Sequence, residues 1–300
     1  MIDLSERLGF KAGFSPEDSK FCFDNPADSG EEWKKSLASK VIEAEKERFL
    51  WQSMMFAQEF TDSEGNITTC PELKRFYPKN PDSVLYSGYR GVGSGNPNFS
   101  KLALRQLRFD LTLIPPGGIG KEFMRTEGHE HLLGFPEIYS VIYGRAGFLL
   151  WTMNIDREND AMFAEAGEGE HVIFPPGYAH ISINTGGSQL ILADIVSKNA
   201  GPRFMRIKTK NGGPWWGILK ENQLEFVKNP RFKDFYPDGQ GLRRVIPAPE
   251  VPKLGLRKGM PLWELSGKVA DNLNFLNYTN TDRRDDELYA QAFLHYNQRL

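Results

Sequence analysis

The sequence is poor in the residues that mark several classes of protein. It contains two cysteines, Cys22 and Cys70, among 300 residues. Two cysteines are too few for a disulfide framework and lack the spacing of a zinc-binding cysteine cluster. No apolar run approaches the roughly 20 residues that a membrane span needs. We therefore expect a soluble protein with no membrane partner.

The charges are balanced, which argues against a polyelectrolyte partner. The chain has 37 Lys and Arg against 39 Asp and Glu, for a net charge of −2. Nucleic-acid binding needs a basic patch or stripe, and here the basic residues are dispersed, so we expect no nucleic-acid partner. The start, MIDLSERLGFKAGF, has no basic head followed by an apolar core. A cytoplasmic location is therefore the expectation.

Three parts follow one another along the chain. Residues 1–100 form a predicted N-terminal extension of helix and loop, 101–248 a predicted barrel, and 249–300 a predicted C-terminal helical extension. In the first part, Ser29 and Glu32 form a capping-box pattern that predicts a helix to about Phe60. The stretch from Tyr77 to Ser100 is dense in Pro, Gly, Asn and Ser, which predicts a long loop. Two amphipathic helices are predicted at the end, in PLWELSGKVADNLNFL and DDELYAQAFLHYNQRL, with His295 at the surface.

The middle part has the pattern of an all-β fold. From about residue 101 to 235, short apolar runs such as EIYSVIYG and QLILADIV are separated by Gly and Pro turns at short intervals. This spacing is typical of a β-barrel or sandwich.

One stretch inside this region, GHEHLLGFPEIYSVIYG from Gly128 to Gly144, combines histidines with a glutamate. In a strand, His129 and His131 project to the same side and lie about 7 Å apart, so both can converge on one ion. The following run predicts a strand that brings Glu137 beside them. A pair of buried histidines satisfied by ordinary hydrogen bonds explains this stretch alone equally well.

A second stretch, GEHVIFPPGYAHISINTGG, favours the metal site. It places a turn at Pro175-Pro176-Gly177 before His180 and ends its strand at Asn184. Together the two stretches resemble the two-motif signature of the cupins. That resemblance implies a double-stranded β-helix, which is a jelly-roll barrel, with the polar residues facing its lumen.

The surrounding sequence narrows the resemblance. LTLIPPGGIGKEFMRTEGHEH, followed by EIYSVIYGRAGFLLW and VIFPPGYAHISINTGG, resembles the cupin-type glucose-6-phosphate isomerases of archaea and bacteria. The similarity runs from about Leu111 to Pro230. It implies a sugar-phosphate substrate, an aldose–ketose exchange and one divalent transition metal, which can be Fe, Mn, Ni, Co or Zn. The implied metal ligands are His129, His131, Glu137 and His180.

The resemblance also implies how substrate is held. Thr112, Thr126 and Gly128 match the family's phosphate-binding positions, and hydroxyls and a backbone N–H are suitable donors to phosphate oxygens. Glu137 is the best-placed carboxylate to move a proton. Tyr139 shares its face of the strand and either hydrogen-bonds substrate or fills the barrel.

Two other polar residues near the first motif have two interpretations. Lys121 and Glu122 either contribute to the rim of the site or form a solvated surface pair. Cupins often associate through barrel faces, so a homodimer is expected.

Several positions depart from the family pattern. The segment between His131 and Glu137 is one residue shorter than usual. Val196, Pro202 and Phe204 replace polar family residues, and their side chains cannot donate a hydrogen bond. Arg203 is new in this context and is a candidate for binding an anionic group.

The fold alone leaves the activity open, because one fold hosts many functions. The alternatives are another sugar isomerase or epimerase, an Fe(II) oxygenase, and a non-catalytic sugar-binding or storage protein. Retention of all four ligands argues against the last. The phosphate-binding residues give the oxygenase no support.

Overall fold

A computed structural model describes residues 1–36, 84–119, 122–152, 159–210, 212–220, 223–235, 241–268, 272–279 and 285–299. Its strands are β1 (Ile2–Asp3), β2 (Ala12–Ser15), β3 (Lys20–Phe23), β4 (Glu31–Ser36), β5 (Val84–Arg90), β6 (Leu107–Ile114), β7 (Gly118–Ile119), β8 (Glu122–Phe123), β9 (Glu130–His131), β10 (Glu137–Tyr143), β11 (Arg145–Thr152), β12 (Ala161–Gly167), β13 (His171–Phe174), β14 (Tyr178–Asn184), β15 (Leu190–Ser197), β16 (Pro202–Arg203), β17 (Trp215–Lys220), β18 (Gln223–Lys228), β19 (Arg243–Pro247), β20 (Glu250–Val251), β21 (Leu256–Arg257) and β22 (Phe293–Arg299). Its α-helices are α1 (Ser5–Leu8), α2 (Ser100–Leu104), α3 (Met205–Lys210), α4 (Leu265–Lys268) and α5 (Asp286–Ala292). None of the helices within these ranges is long and apolar enough to cross a membrane.

Two large sheets form the centre of the molecule. The six-stranded sheet has the order β13-β10-β15-β6-β5-β4, and the five-stranded sheet has the order β14-β11-β12-β19-β22. The chain changes sheet between β10 and β11, between β12 and β13, between β13 and β14, and between β14 and β15. A chain that passes back and forth between two facing sheets in this way has the topology of a jelly roll. The all-β barrel core expected from the sequence is confirmed.

The two sheets share one apolar core beside the predicted site. The ring of Tyr139 on β10 lies 4.7 Å from that of Phe174 on β13 and 5.5 Å from that of Phe148 on β11. All three side chains are buried. These centroid separations are those of favourable aromatic pairs, so the rings join the two sheets directly.

The outer face of the six-stranded sheet is covered as well. The ring of Phe109 on β6 lies 5.0 Å from that of Phe99, which in turn lies 5.8 Å from that of Phe10. Strands buried on both faces carry apolar residues at successive positions. This explains why β10 and β15 alternate so poorly in the sequence.

The helix predicted to begin at Ser29 is wrong for Glu31–Ser36, which forms β4. This strand pairs antiparallel with β5, and Glu32 lies opposite Tyr89. The Tyr89 hydroxyl donates to a Glu32 carboxylate oxygen over 3.0 Å. Pairing with the sheet thus overrides a local capping pattern, as tertiary context often does. The rest of the predicted helix, 37–60, lies outside the described residues.

Two further corrections concern strands that were not expected. The loop predicted between Tyr77 and Ser100 contains β5, and β5 is an inner strand of the six-stranded sheet. The last predicted helix ends at Ala292, because Phe293–Arg299 forms β22 against β19. The apolar and aromatic residues of β22 suit a strand. Pairing with β22 also covers an edge of β19 that would otherwise be open. His295 on this strand is exposed, as expected.

Strands from both flanking segments therefore extend the sheets of the barrel. β4 and β5 join the six-stranded sheet from the N-terminal side, and β22 joins the five-stranded sheet from the C-terminal side. The division into segments 1–100, 101–248 and 249–300 stays a prediction.

His171, at the start of β13, is buried without charge. Its Nε2 lies 3.2 Å from the carbonyl oxygen of Arg257, which can only accept a hydrogen bond. Burial lowers the pKa of His171 to about 4, from an ordinary value of 6.5. Between these pH values the unfolded chain binds a proton that the folded chain does not, so stability is lost as the pH falls through this window.

We predict that this residue alone removes on the order of 3 kcal/mol of unfolding free energy as the pH drops from about 6.5 to about 4. In His171→Gln, the amide can still donate to the Arg257 carbonyl but does not titrate. Urea unfolding at about pH 7 and about pH 4.5 should therefore differ less for the variant than for the wild type. An identical pH dependence in the two proteins would contradict the prediction.

Candidate metal and substrate site

Four side chains able to bind a metal meet inside the barrel. His129, His131, Glu137 and His180 each offer one ligand atom, and these atoms all lie within 4.8 Å of one another. The Nε2 atoms of His131 and His180 lie 3.6 and 3.5 Å from the same carboxylate oxygen, Oε2 of Glu137. The structure thus brings together the four side chains that the family resemblance implied as metal ligands.

A backbone bridge between the two motifs creates this meeting. The N–H of His129 donates to the carbonyl of His180 over 3.1 Å, and the N–H of His180 donates to the carbonyl of His129 over 2.9 Å. Opposed residues in such a pair project to the same face. His131 follows on β9, and Glu137 opens β10. The ligands therefore come from three neighbouring segments of backbone.

A hydrogen bond of the His131 ring points the lone pair of its other nitrogen at this centre. His131 Nδ1 lies 2.8 Å from the carbonyl oxygen of Phe135. A carbonyl only accepts, so Nδ1 carries the proton and Nε2 presents its lone pair. His180 Nε2 and Glu137 Oε2 are buried, and neither has a hydrogen-bond partner among the described residues. Leaving such an atom unpaired costs about 1–3 kcal/mol, a cost that a bound cation removes. Three imidazoles and a carboxylate suit a divalent transition metal.

Burial keeps the three histidines in the form that binds metal. It lowers the pKa of His131 to about 4 and the pKa values of His129 and His180 well below the usual one. The neighbouring imidazoles lower the pKa values of His129 and His180 further. Neutral imidazole is the ligating form, so no proton has to leave these rings at neutral pH.

Tyr139 lies beside the cluster on the same face of β10 as Glu137. Its ring centroid is 6.1 Å from that of His180 and 4.7 Å from that of Phe174. Burial, together with the charge of Glu137, raises the pKa of the Tyr139 hydroxyl, so the group keeps its proton. Tyr139 fills the barrel; its contact with substrate stays a prediction.

The two predicted phosphate-binding threonines have different surroundings. Thr112 is half-buried on β6, opposite Leu192 on one side and Gly88 on the other. Thr126 lies between β8 and β9, where its Oγ1 accepts a hydrogen bond from the N–H of Ser182 over 3.1 Å. Its backbone N–H donates to the Ser182 carbonyl over 2.9 Å. Because the Thr126 oxygen acts as acceptor there, its O–H remains available to donate.

Sequence reasoning missed a line of charged side chains next to Glu137. Asp194 on β15 lies opposite Tyr139 of β10 and opposite Asp110 of β6. The Arg108 guanidinium donates to Asp110 over 2.7 Å through Nε. The available signal was one aspartate in each of the runs LILADIV and LRFDLTLI, because a buried carboxylate in an apolar strand needs a partner.

Glu137 and Asp194 form a carboxyl pair. Asp194 lies opposite Tyr139, two residues along β10 from Glu137, so the two carboxyl groups project to the same face of the sheet. Burial raises the pKa of both groups, and that of Asp194 rises to about 7. Repulsion between carboxylates adds to this, from Asp194 on Glu137 and from Asp110 on Asp194. Both carboxyl groups are therefore harder to ionise than exposed ones.

The positions that depart from the family pattern give one side of the site an apolar lining. Val196 is fully buried and lies opposite Glu137 across the β10–β15 pair. Pro202 lies opposite His131 in the β9–β16 pair. The ring of Phe204 is 5.7 Å from that of His129. These side chains offer contact but no hydrogen bond to a sugar hydroxyl.

Arg203 faces an acidic partner at the edge of the site. Its Nη1 lies 3.7 Å from Oε1 of Glu130, and Nη1 of Arg206 lies 3.8 Å from Oε2 of the same residue. Both arginine side chains are about half exposed. Binding of an anionic group by Arg203 stays a prediction.

The interpretation of Glu122 as half of a solvated pair is wrong. Its side chain is buried and forms an ion pair with Arg125, three residues along the chain. Lys121, the other half, lies outside the described residues. The buried charge of Glu122 is compensated locally, as buried carboxylates require.

Gly128 is required by the geometry of the bridge. Its φ is +85°, and a Cβ at this position would lie 2.4 Å from Cγ1 of Ile181 and 3.0 Å from the carbonyl oxygen of His180. Both conditions exclude a side chain. Glycine therefore lets the first motif approach β14 closely enough for the histidines to meet.

We predict that Gly128→Ala lowers the unfolding free energy by about 2–4 kcal/mol, from backbone strain and overpacking together. Urea unfolding measures the loss. Gly91→Ala is the matched control, because Gly91 has a φ of +68° but a Cβ added there would meet no atom of the described residues within 4 Å. The control should show only the strain. Equal losses in the two variants would contradict the close approach at Gly128.

A family model and several curated relatives identify the same family for this chain. The family model described as "Glucose-6-phosphate isomerase (GPI)" matches residues 58–233, which is more than half of the chain. This match begins well before Leu111, where the resemblance carried by the motifs begins.

Curated relatives carry the same name. The glucose-6-phosphate isomerase of Thermococcus kodakarensis is 37% identical over 129 residues, covering 43% of this chain and 66% of that protein. That of Pyrococcus furiosus is 35% identical over 129 residues, covering 42% and 65%. The "Putative glucose-6-phosphate isomerase 1" of Rhizobium meliloti is 31% identical over 129 residues, covering 39% and 58%. The chain thus spans just under two thirds of the archaeal relatives' length.

Among solved structures, "Recombinant oxalate oxidase in complex with glycolate" matches 50% of this chain and 68% of that chain, with 17% identity and a TM-score of 0.33. A similarity this low carries no argument about function. The family model, in contrast, spans most of the barrel and both histidine motifs. The chain belongs to the glucose-6-phosphate isomerase family.

Proposed function

We propose that the protein is a metal-dependent aldose–ketose isomerase that interconverts glucose 6-phosphate and fructose 6-phosphate. The observation that carries the proposal is the buried cluster of His129, His131, Glu137 and His180 in the barrel of a chain of this family. The metal is a divalent transition ion, and Fe, Mn, Ni, Co and Zn all suit the donor set.

The reaction moves one hydrogen from C2 to C1 of the open-chain sugar and one proton from O2 to O1. On an enediol route, the Glu137 carboxylate takes the proton from C2 and returns it to C1. On a hydride-shift route the hydrogen passes directly between the carbons, and Glu137 serves as ligand alone. A divalent cation held by His129, His131, Glu137 and His180 would polarise the substrate carbonyl and stabilise the negative charge that develops on its oxygen.

Other residues are assigned to substrate binding. The hydroxyls of Thr112 and Thr126 and the N–H of Gly128 are the proposed donors to the phosphate. Glycine allows the phosphate to approach the backbone at Gly128. Tyr139, which keeps its proton, is the proposed donor to a sugar oxygen. A cytoplasmic homodimer remains part of the proposal on sequence grounds.

A second candidate is isomerisation or epimerisation of another phosphorylated sugar. The observation that favours it is the apolar lining formed by Val196, Pro202 and Phe204, where the family carries polar groups. Such a lining suits a substrate with fewer hydroxyls at that end, because hydroxyls buried there would lose hydrogen bonds to water.

The test of the function uses protein whose metal content has been measured. Its reaction with glucose 6-phosphate in deuterated water is followed by NMR. We expect fructose 6-phosphate to appear. Deuterium at C1 of the product indicates the enediol route, with exchange of the proton held by Glu137. Retained hydrogen fits either a hydride shift or an enediol route without exchange. Full metal content without conversion would contradict the first candidate, and other sugar phosphates would then test the second. Oxygen consumption would instead favour an oxygenase.

We predict that His180→Ala abolishes metal retention, because it removes one of four ligands and leaves a buried gap beside Glu137. The metal content of the purified variant, measured by mass spectrometry, should fall to background. His295→Ala is the control, since His295 is exposed on β22 outside the cluster. Unchanged metal content in His180→Ala would overturn the site assignment.

A further inference from the structure

A row of three side chains crosses the six-stranded sheet at the level of the proposed metal site. Val196 on β15 lies opposite Glu137 on β10 and, on its other side, opposite Arg108 on β6. Directly opposed residues project to the same face of a sheet. Because Glu137 points into the barrel, Arg108 faces the lumen as well. Neighbouring strands are about 4.8 Å apart, so the backbones of Arg108 and Glu137 are separated by about 10 Å.

The guanidinium of Arg108 is held at two points and reaches β15, the strand that separates it from Glu137. Its Nε donates to Oδ2 of Asp110 over 2.7 Å, and its Nη1 donates to the carbonyl oxygen of Ser197 on β15 over 3.3 Å. Asp110 is fixed in turn, because its Oδ1 accepts a hydrogen bond from the N–H of Gly91 over 2.9 Å. A guanidinium fixed in this way loses little further freedom when it binds a ligand.

Most of the hydrogen-bonding capacity of Arg108 is unused within the described residues. A guanidinium offers five N–H donors, and two of them bond to Asp110 and Ser197. The side chain is 18% exposed, so water or a ligand can reach it. Val196 beside it is fully buried and has no side-chain donor. Arg108 therefore supplies donors where the apolar lining at Val196 supplies none.

The positive charge of Arg108 matches the chemistry proposed at Glu137. An aldose–ketose exchange builds negative charge on the oxygens at C1 and C2 of the sugar, and fixed donors aimed at such oxygens stabilise that charge. Arginine N–H groups bond anionic oxygens more strongly than neutral ones. Asp110 balances the guanidinium charge at all times, so the cation is not left unpaired inside the barrel.

We propose that Arg108 is a substrate-binding residue that donates hydrogen bonds to a negatively charged oxygen at the reacting end of the sugar. The inference rests on the proposed function, because Glu137 marks that end of the substrate. Thr112, a proposed phosphate-binding residue, lies four residues further along β6 on the same face, which is about 13 Å in a strand. The two side chains thus bind opposite ends of one sugar phosphate.

The test compares two ligands that differ only at C1. 6-Phosphogluconate carries a carboxylate there, whereas glucitol 6-phosphate carries a neutral hydroxymethyl group. Titration calorimetry gives the dissociation constants of both for the full chain, and the metal content of every preparation is measured. Arg108→Gln should weaken binding of 6-phosphogluconate about 10–100-fold, the range of a hydrogen bond to a charged group, and that of glucitol 6-phosphate much less. Arg145→Gln, which removes a mostly exposed arginine at the start of β11, should change neither.

A second variant guards against a failure to fold, because Arg108→Gln leaves the Asp110 carboxylate without its cation. Arg108→Gln combined with Asp110→Asn removes both charges. The new amide oxygen at position 110 can still accept the hydrogen bond from the N–H of Gly91. This double variant should show the same selective loss of 6-phosphogluconate binding.

The outcomes separate this inference from the proposed function. No change in binding, or an equal change for the two ligands, would overturn the inference and leave Arg108 as the structural partner of Asp110. A loss that accompanies reduced metal content would overturn it too, because the effect would then pass through the metal. If the wild type binds neither ligand, the proposed function and the inference fall together. Selective loss in a protein that does not convert glucose 6-phosphate would support the inference and contradict the proposed reaction alone.

Discussion

The site depends on the backbone bridge between His129 and His180. The first histidine motif lies outside long strands, since β9 contains only Glu130 and His131. The two hydrogen bonds of the bridge therefore hold this motif against β14. They form only because Gly128 offers no side chain to the facing Ile181. This contact brings the ring nitrogens of the histidines together and places Glu137 between them.

Around the bridge, the barrel surrounds polar groups with apolar side chains. Low exposure to water lowers the basicity of the imidazoles and raises that of the carboxyl groups, which is the ordinary effect of desolvation. Both effects reduce the number of bare charges inside the barrel. On strand β6, the opposite charges of Asp110 and Arg108 neutralise each other across a short hydrogen bond. These interactions satisfy part of the polar cluster, whereas Nε2 of His180 and Oε2 of Glu137 have no hydrogen-bond partner among the described residues.

The sequence predicted the barrel from short-range patterns, and the resemblance to a known family supplied the set of four clustered side chains. Turn residues, β-branched runs and the His-x-His spacing are local, and the structure brings those parts together. Three features depended on distant partners and were not predictable from local pattern. Glu31–Ser36 has a helix-capping sequence but pairs with β5. Phe293–Arg299 continues a helical pattern but pairs with β19. Asp194 is one polar residue in an apolar strand, and only the register of β15 shows that it stands beside Tyr139 and Glu137.

The participation of both flanking segments in the sheets has a consequence for cooperativity. Without β4 and β5, strand β6 would become an open edge of its sheet, and without β22 the same would happen to β19. Open edges pair readily with other chains, so the isolated segment 101–248 would tend to aggregate. The flanking strands are thus integral parts of the folding unit. A shortened variant meant to retain the barrel has to keep the strands from both ends of the chain, although the four proposed metal ligands all lie in the middle.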